Sequence, residues 1–272
     1  MGMEESERRT VLIWHGTASV ELRGPGGRIV FDPFVTLPGA DIRVPIEEYD
    51  GSTDIVVTHG HFDHIASIPE IVRRNPDVEV HCTRTPFYTL RRKGVPIKNL
   101  DMIVIGETME LAGFRIKAIQ GRHAVLPKAT PKRIGMILNA GSLGNLPWIA
   151  SQAAVSKENG ETVFYQIECP PEQDFDGMPG RVRTISLMGS LNLAEGVDYP
   201  TGSDVLVLPY NGWEDNFPPA VRVVERLRPK HVLLDHYDCA FPPLTTPVDL
   251  EPFLERYSAI AEPLIYGEKV RI

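Results

Sequence analysis

The chain contains 272 residues, of which 42% are hydrophobic and 24% are charged, and its formal net charge is −8 at pH 7. These values are typical of a soluble globular protein, and the length fits one large domain or two small ones. The negative charge argues against a protein that grips nucleic acid, since that function requires clustered lysines and arginines. It leaves room for a small anionic substrate that a metal ion or a few local cations would hold.

The three cysteines, Cys82, Cys169 and Cys239, are odd in number and far apart in the chain. This pattern predicts free thiols in a reducing compartment rather than a disulfide framework. The N-terminal residues are charged and lack the apolar core of a signal peptide, and no apolar run approaches the ~18 residues of a membrane helix. We therefore expect a cytoplasmic protein without a membrane partner.

In chain order, the first forty residues predict a group of antiparallel strands. Apolar and β-branched residues form two short runs, and a glycine-rich turn at 24–27 leads into a third. The expected strands are Val11–Trp14, Ala18–Leu22 and Arg28–Phe31. The next apolar run, Asp54–Val57, ends directly in a group of histidines, so that group should lie on the loop at the carboxyl end of a strand.

Strand-like and helix-like segments alternate through the rest of the chain. A helix should begin after Ser67, with Pro69 in its first turn, and end near Arg74. Further helices are expected at Pro86–Lys93, Pro219–Leu227 and Asp249–Ser258. Further strands are expected at Val78–Cys82, Met102–Ile105, Phe114–Ile119, Thr162–Glu168, Arg181–Met188, Asp204–Pro209 and His231–Leu234. This mixture predicts stacked sheets with helices outside them rather than a single doubly wound parallel sheet.

The segment from 126 to 160 fits this alternation poorly, because it is apolar in its middle and only weakly periodic. Three interpretations are open: an inserted lid over a site, a contact between the subunits of a homo-oligomer, or a helix pair that packs normally. In each case we expect residues 1–272 to form a single domain.

Residues 57–64, with the sequence VTHGHFDH, place three histidines and one aspartate within six positions. Neutral imidazoles and a carboxylate are ligands suited to zinc, iron or manganese, and a loop can curl around such an ion. A single solvated loop histidine usually has no function. Four ligand-type residues at this spacing, directly after an apolar strand, indicate a metal site.

The motif THGHFDH resembles the HxHxDH signature of the metallo-β-lactamase superfamily, and the similarity extends over most of the chain. Phe31-Asp32-Pro33 resembles the segment that precedes this signature, while His123 and His236 stand where two further metal-binding histidines fall. In layout the chain looks most like the lactonase-like branch, typified by ascorbate-6-phosphate lactonase. The resemblance implies a four-layer αββα sandwich, in agreement with the predicted strands and helices.

The resemblance also implies two adjacent metal sites. A first metal ion would be bound by His59, His61 and His123, and a second by Asp63, His64 and His236. The second group would also act in catalysis through Asp63 and His236. One or two Zn²⁺ ions are expected, and Mn²⁺ or Fe²⁺ would also suit these ligands. A bound metal ion would activate water and polarise a carbonyl or phosphoryl oxygen of a small-molecule substrate.

One position departs from the family pattern. The family places a bridging aspartate in a Gly-Asp-Thr turn after a strand, whereas the matching turn here reads Gly189-Ser190-Leu191. A serine hydroxyl is neutral and a weak ligand, so two divalent cations are harder to hold close together. We expect at least one tightly bound metal ion and weaker occupancy of the second site. Asp174 or Asp176, in the preceding loop, could replace the missing carboxylate.

Other residues near these loops are candidates for roles in the pocket or in the structure around it. His15 could line the pocket and Arg122 could bind an anionic group of the substrate, although each could equally have a structural role. Asp32 is expected to accept a hydrogen bond from a ligand imidazole. His81 and His231 are most simply structural.

The leading interpretation is a metal-dependent hydrolase that acts on a small ester, lactone or phosphodiester. One alternative is an iron-dependent redox protein, which the hydrolytic form of the motif disfavours. Another is a degenerate member of the fold that binds metal or ligand without catalysis, which Ser190 favours. The same fold supports many reactions, and specificity would depend on segment 126–160 and on loops such as Asn211-Gly212-Trp213.

Overall fold

Two seven-stranded β-sheets contain the strands of the described part of the chain. The computed structural model describes residues 10–124, 143–155, 160–171, 181–211, 216–246 and 248–272. The strands are β1 (Val11–Trp14), β2 (Val20–Gly24), β3 (Gly27–Phe31), β4 (Asp54–Val56), β5 (Glu79–Cys82), β6 (Leu100–Met102), β7 (Thr108–Leu111), β8 (Phe114–Gln120), β9 (Val163–Glu168), β10 (Thr184–Met188), β11 (Val205–Pro209), β12 (Val232–Asp235), β13 (Ala261–Pro263) and β14 (Lys269–Arg271).

Each sheet joins an antiparallel half to a parallel half. The first sheet has the order β14-β1-β2-β3-β4-β5-β6, and the second has the order β13-β12-β11-β10-β9-β8-β7. In the first sheet the pairs from β14 to β3 are antiparallel, which confirms the prediction for the start of the chain, and those from β3 to β6 are parallel. In the second sheet the pairs from β7 to β10 are antiparallel and those from β10 to β13 are parallel.

The two sheets pack face to face, and strict alternation of side chains explains why. In β3, Ile29 and Phe31 join the core between the sheets, while Val30 points to the outer face. In β11, Val207 joins the core between the sheets and Leu206 the outer face. Because successive side chains of a strand point to opposite faces, a strand that is buried on both faces is a continuous apolar run.

Helices cover the outer face of each sheet. The helices of the described residues are α1 (Phe62–Ile65), α2 (Ile68–Arg74), α3 (Arg84–Arg92), α4 (Leu146–Val155), α5 (Phe217–Leu227) and α6 (Glu251–Arg256). Ile71 of α2 and Leu90 of α3 pack on the first sheet. Val223 of α5 and Phe253 of α6 pack on the second. The layers therefore follow the order helix, sheet, sheet, helix, which confirms the predicted αββα sandwich.

Most predicted elements are present, and the errors have local causes. Strand β2 begins at Val20 rather than Ala18 because residues 15–19 form a turn, in which the His15 N–H donates to the Ser19 carbonyl at 2.8 Å. The prediction of a strand at Met102–Ile105 was wrong, since the paired residues are Leu100–Met102. Strands β7, β13 and β14 and helix α4 were not predicted, because each is short or lacks a clear period.

Helix α2 begins after Ser67, as the sequence predicts, but the side chain of Ser67 bonds to another segment of the chain. The side chain of Ser67 makes no capping hydrogen bond to the helix. Its Oγ accepts instead the N–H of Val35 at 2.8 Å, so it ties the loop after β3 to the helix.

Two further expectations concern the cysteines and the segment 126–160. All three cysteines are free thiols. Within the segment, residues 143–155 contain α4, and residues 126–142 and 156–159 lie outside the described residues. Of the helices in the described ranges, none is long and apolar enough to cross a membrane.

The packing between the sheets gives a test of the fold. Val207 is fully buried between them, whereas Val104 is 64% exposed. We expect Val207→Ala to lower the free energy of unfolding by about 2 kcal/mol, because it removes two buried methyl groups and leaves a cavity. Val104→Ala, the matched control, should change it by less than about 0.5 kcal/mol. Urea unfolding followed by circular dichroism measures both, and equal effects would contradict the layer assignment.

Candidate metal centre

Four loops that follow strands converge at one edge of the sandwich. The loop after β4 carries His59 and His61 and leads into α1, which holds Asp63 and His64. The loops after β8, β10 and β12 carry the other members, His123, Ser190 and His236. These strands all run in the same direction within their sheets, so their carboxyl ends meet at one edge, where open α/β sheets commonly bind ligands.

Three imidazoles form a first group of donor atoms. The ring centroids of His59 and His61 lie 4.8 Å apart, those of His59 and His123 4.9 Å, and those of His61 and His123 4.5 Å. One ring nitrogen from each lies within 4.8 Å of the others. Nε2 of His59 is 3.1 Å from Nδ1 of His61, and such a spacing suits two ligands of one metal ion.

Hydrogen bonds on the far side of the rings identify the nitrogens that face inward. The Thr58 hydroxyl donates to Asp32 at 2.5 Å, so its oxygen can accept the Nδ1–H of His59 at 3.0 Å. The Nδ1–H of His123 donates to the Ala124 carbonyl at 2.7 Å. Both histidines therefore keep an Nε2 lone pair for the centre, as in metal sites whose ligand histidines are oriented by a second partner.

Burial lowers the pKa of two members of this first group. Burial, followed by repulsion from the imidazoles of His64 and His61, holds the pKa of His59 well below its ordinary value. Burial also lowers the pKa of His123. Since only a neutral imidazole has a lone pair for a metal ion, these residues need not lose a proton to bind one at neutral pH.

Asp63, His64 and His236 form a second group of donor atoms. The Asp63 Oδ2 lies 3.4 Å from Nε2 of His236 and 3.6 Å from Nε2 of His64. Burial disfavours the ionised carboxylate of Asp63, but His64 and His236 outweigh it and hold its pKa well below the ordinary value. Asp63 therefore stays a carboxylate throughout the physiological range.

The opposite side of His64 is held by Asp32. Nδ1 of His64 is 2.8 Å from Oδ2 of Asp32, the contact expected from the sequence, and Asp32 also accepts the Thr58 N–H at 2.8 Å. Burial disfavours the protonated ring, yet the carboxylates of Asp32 and Asp63 raise the pKa of His64 to about 9. In the metal-free protein this ring carries a proton that a metal ion would displace.

Two residues of the centre have backbone angles that are rare outside glycine. The φ angle is 46° at Asp32 and 58° at His236. Backbone hydrogen bonds hold both, from the Asp32 N–H to Val56 at 3.1 Å and from the His236 N–H to Thr17 at 2.8 Å. Non-glycine residues in this region cost of order 1 kcal/mol each and cluster at functional sites.

Ser190 lies in the cavity wall, at the position where the resemblance expects an aspartate. Its Oγ accepts the Ala124 N–H at 2.9 Å and thereby holds the loop of His123. The preceding residue must be glycine, because a Cβ on Gly189 would lie 2.4 Å from the Cβ of Thr58. Asp174 and Asp176, considered as substitutes for the aspartate, lie outside the described residues.

The two donor groups form the floor of a cavity of about 330 Å³. Its polar lining includes Ser190, Asn211 and Thr245, and its apolar lining includes Phe62, Ala153, Pro209, Phe241 and Leu244. A volume of this size suits a small organic molecule. Gly212 and Trp213, named with Asn211 as a specificity loop, lie outside the described residues.

The other candidate residues lie away from the cavity. His15 is buried, with Nε2 2.9 Å from Glu21, and it does not line the cavity. Arg122 is 49% exposed and forms an ion pair with Glu195 at 3.0 Å. His231 contacts Glu262 at 3.0 Å on the surface.

A third cluster of titratable groups surrounds His81, whose two ring nitrogens each lie 3.0 Å from a carboxylate, that of Asp54 or of Asp101. Burial opposes protonation of His81, but these two carboxylates raise its pKa. This geometry is that of an imidazolium held between two anions of neighbouring strands.

Sequence reasoning overlooked several residues of the site. Thr58 directly precedes the motif, and its hydroxyl contacts both Asp32 and His59, yet threonine is common at strand ends and gives no signal. Phe62 occupies a variable position inside the motif. Phe241 and Leu244 come from a proline-rich stretch after His236 with no periodicity, and only the fold brings them to the cavity.

Comparisons with known proteins agree with this architecture. Residues 27–163 match a family model described as a β-lactamase superfamily domain. A UPF0173 metal-dependent hydrolase of Staphylococcus aureus (strain MRSA252) is 26% identical over 114 residues, which are 42% of this chain and 48% of that protein. A UPF0173 metal-dependent hydrolase of Aeropyrum pernix is 35% identical over 69 residues, 25% of this chain and 28% of that protein. The similarity therefore spans half or less of the length of these curated relatives.

A solved structure is similar over nearly the whole chain. Igni18, a metallo hydrolase from the archaeon Ignicoccus hospitalis, has a TM-score of 0.62 and 19% sequence identity, covering 97% of this chain and 98% of that one. At such low identity the likeness shows the fold, the two stacked sheets with outer helices.

The contact between Asp32 and His64 can be tested by neutralising the carboxylate. Asp32→Asn should lower the pKa of His64 from about 9, because it removes the carboxylate that raises this pKa most, while burial still disfavours the protonated ring. NMR titration of the imidazole resonances in metal-free protein measures this shift. Asp101→Asn, which removes a carboxylate beside His81 instead, should leave His64 unchanged.

The pKa of His64 also predicts how the stability of the metal-free protein changes with pH. Its folded value exceeds the ordinary 6.5, so protonated His64 stabilises the metal-free fold below pH 6.5, and this contribution disappears as the pH rises through about 9. In Asp32→Asn that pH dependence should be weaker, because only the carboxylate of Asp63 then remains in contact with the ring. An unchanged His64 titration would contradict the role given to Asp32.

Proposed function

We propose, from the premise that this chain belongs to the metallo-β-lactamase superfamily, that it is a metal-dependent hydrolase of a small ester, lactone or phosphodiester. The observation that carries the proposal is the pair of adjacent three-donor groups on the floor of a cavity of about 330 Å³. Lactones are included because the sequence resembles the lactonase-like branch. We place the reaction in the cytoplasm.

The residues present fit a metal ion. The first group offers three imidazole nitrogens, and the lowered pKa values of His59 and His123 suit it to zinc, with open positions left for substrate. The second group, two imidazoles and a carboxylate, suits Zn²⁺, Mn²⁺ or Fe²⁺. When bound, such an ion supplies a water nucleophile at neutral pH and withdraws charge from a carbonyl or phosphoryl oxygen.

The chain's own residues would orient the water, accept its proton and position the metal-binding rings. Asp63 stays ionised and lies in the second donor group beside the first, so it can orient the attacking water and accept its proton at Oδ2. His236, 3.4 Å from Asp63, shares that carboxylate. Asp32 and Thr58 position the rings of His64 and His59 and do not reach the cavity lining themselves.

The charge of the centre favours unequal occupancy. Two divalent ions bring four positive charges, and Asp63 is the one carboxylate among the six donors of the two groups. Ser190 adds no charge, and its Oγ already accepts the Ala124 N–H. We propose that the first group binds zinc tightly and that the second binds its ion more weakly. This neutral serine also supports a second candidate function, a non-catalytic member of the fold that binds metal or ligand.

Helix α4 supports self-association. Leu143, just before the helix, and Trp148 and Val155 within it are 41%, 36% and 40% exposed. We propose that these apolar side chains form a contact between subunits of a homo-oligomer.

Removal of one donor tests the hydrolase proposal. His61→Ala should reduce kcat/KM by at least about 100-fold and lower the metal content, because the first group loses one of its three nitrogens. Activity would be measured on a panel of esters, lactones and phosphodiesters, with metal content by plasma mass spectrometry. His231→Ala removes a surface histidine paired with Glu262 and serves as the control. Unchanged activity in His61→Ala would refute the metal mechanism.

Restoring the carboxylate tests the charge argument. Ser190→Asp should tighten binding of the second metal ion by at least about tenfold, because the new carboxylate partly neutralises the two ions. Titration calorimetry of the metal-free protein with zinc gives both dissociation constants. Ser190→Asn introduces a side chain with nearly the shape of aspartate but without its charge. It should not tighten binding of the second metal ion. Equal effects of the two variants would rule out electrostatics as the cause.

A further inference from the structure

The wall of the cavity beside the metal-binding residues is apolar. Phe62, Phe241 and Leu244 line it, and Ala153 of helix α4 adds to it. Phe62 stands between His61 and Asp63 in the chain, so the wall begins within the metal motif itself. A ligand group on this wall therefore lies next to the reacting atoms.

Aromatic packing holds this wall in place. The ring of Phe241 meets that of Phe62 edge to face, with centroids 5.1 Å apart. Phe34 is fully buried behind both, at 6.2 Å from Phe62 and 5.9 Å from Phe241. Edge-to-face packing of this kind orders the rings before a ligand arrives, so that little entropy is lost on binding.

The charged groups of the cavity belong to its metal-binding floor and not to its apolar wall. In the described lining, the titratable groups are histidines and Asp63, and no lysine or arginine is among them. Arg122, the cation expected from the sequence, is paired with Glu195 outside the cavity. An anion on the apolar wall would lose hydration with no lysine or arginine of the described lining beside it, because the protonated ring of His64 is already paired with Asp32 and Asp63, and that loss is costly.

We propose that the site takes an uncharged carboxylic ester or lactone that carries an aryl or branched alkyl group on the Phe62–Phe241–Leu244 wall, rather than a phosphodiester. The reaction rests on the proposed hydrolase function, whereas binding to the wall does not. Water adds to the carbonyl carbon, the bond from that carbon to the ester oxygen breaks, and the departing oxygen takes a proton. An ester gives a carboxylic acid and an alcohol, a lactone gives a single hydroxy acid, and no oxidant or reductant is needed.

Kinetics on zinc-loaded protein test the substrate class. Across p-nitrophenyl acetate, propionate and butyrate, kcat/KM should rise about fourfold for each added methylene, the gain expected from burying one methylene. Leu244→Ala should flatten this series. Arg122→Ala, which lies outside the cavity, should leave it unchanged. A series that is flat in the wild type would overturn the inference.

Binding to metal-free protein separates the wall from the chemistry. We expect 3-phenylpropanamide, which is uncharged, to bind at least tenfold more tightly than 2-phenylethylphosphonate, an anion of similar shape, measured by NMR titration. Leu244→Arg should reverse this preference, because it places a cation on the wall. Equal binding of the two ligands by the wild type would overturn the inference.

These experiments distinguish failure of the proposed hydrolase function from failure of the proposed substrate class. If zinc-loaded protein hydrolyses neither esters nor phosphodiesters but the amide still binds and Leu244→Ala weakens it, the hydrolase proposal is wrong and the apolar ligand site stands. If bis(p-nitrophenyl) phosphate is hydrolysed while the ester series is flat, the hydrolase proposal stands and the substrate class is wrong.

Discussion

The buried carboxylate of Asp32 is the interaction on which the centre depends. It accepts hydrogen bonds from the Thr58 N–H and hydroxyl and from the ring of His64. Through the Thr58 hydroxyl the same carboxylate also orients His59. One residue at the end of β3 therefore positions a histidine in each donor group, and its left-handed backbone aims the side chain across to the loop after β4. A solvated aspartate could not impose this order, because water would compete for each contact.

The two sheets are joined at this same point. The Val163 N–H donates to the Thr58 carbonyl at 2.9 Å, and the Tyr165 hydroxyl donates to the Val57 carbonyl at 2.7 Å. Gly189, from the second sheet, packs against the Thr58 side chain with no room for a Cβ. The loop that carries most of the donors is thus clamped by strands of the opposite sheet. Such clamping is what a site assembled from loops of two layers requires, since small displacements of ligands weaken a metal site.

Local patterns in the sequence predicted the layers and proposed most of the metal-binding residues. Runs buried on two faces revealed most strands, and the motif at 59–64 identified four of the six donors by spacing alone. His123 and His236 came only from the family resemblance. His15 was predicted as a possible pocket residue because Trp14-His15-Gly16 resembles the Gly-His of the lactonase-like branch in inverted order, but in the turn after β1 its ring contacts Glu21. Phe241 and Leu244 could not be found, since their role depends on a chain path that no local pattern encodes.

Ser190 and the apolar wall are consistent with one another in electrostatic terms. An aspartate at position 190 would add a second negative charge to the cavity and would need a second metal ion to balance it. Serine removes that charge, and its Oγ instead fixes the loop of His123 through Ala124. With fewer fixed charges, the cavity loses less by excluding water along Phe62 and Phe241, and a neutral carbonyl can be polarised without a competing anion nearby. The serine therefore suits a site in which charge develops during the reaction instead of arriving with the substrate.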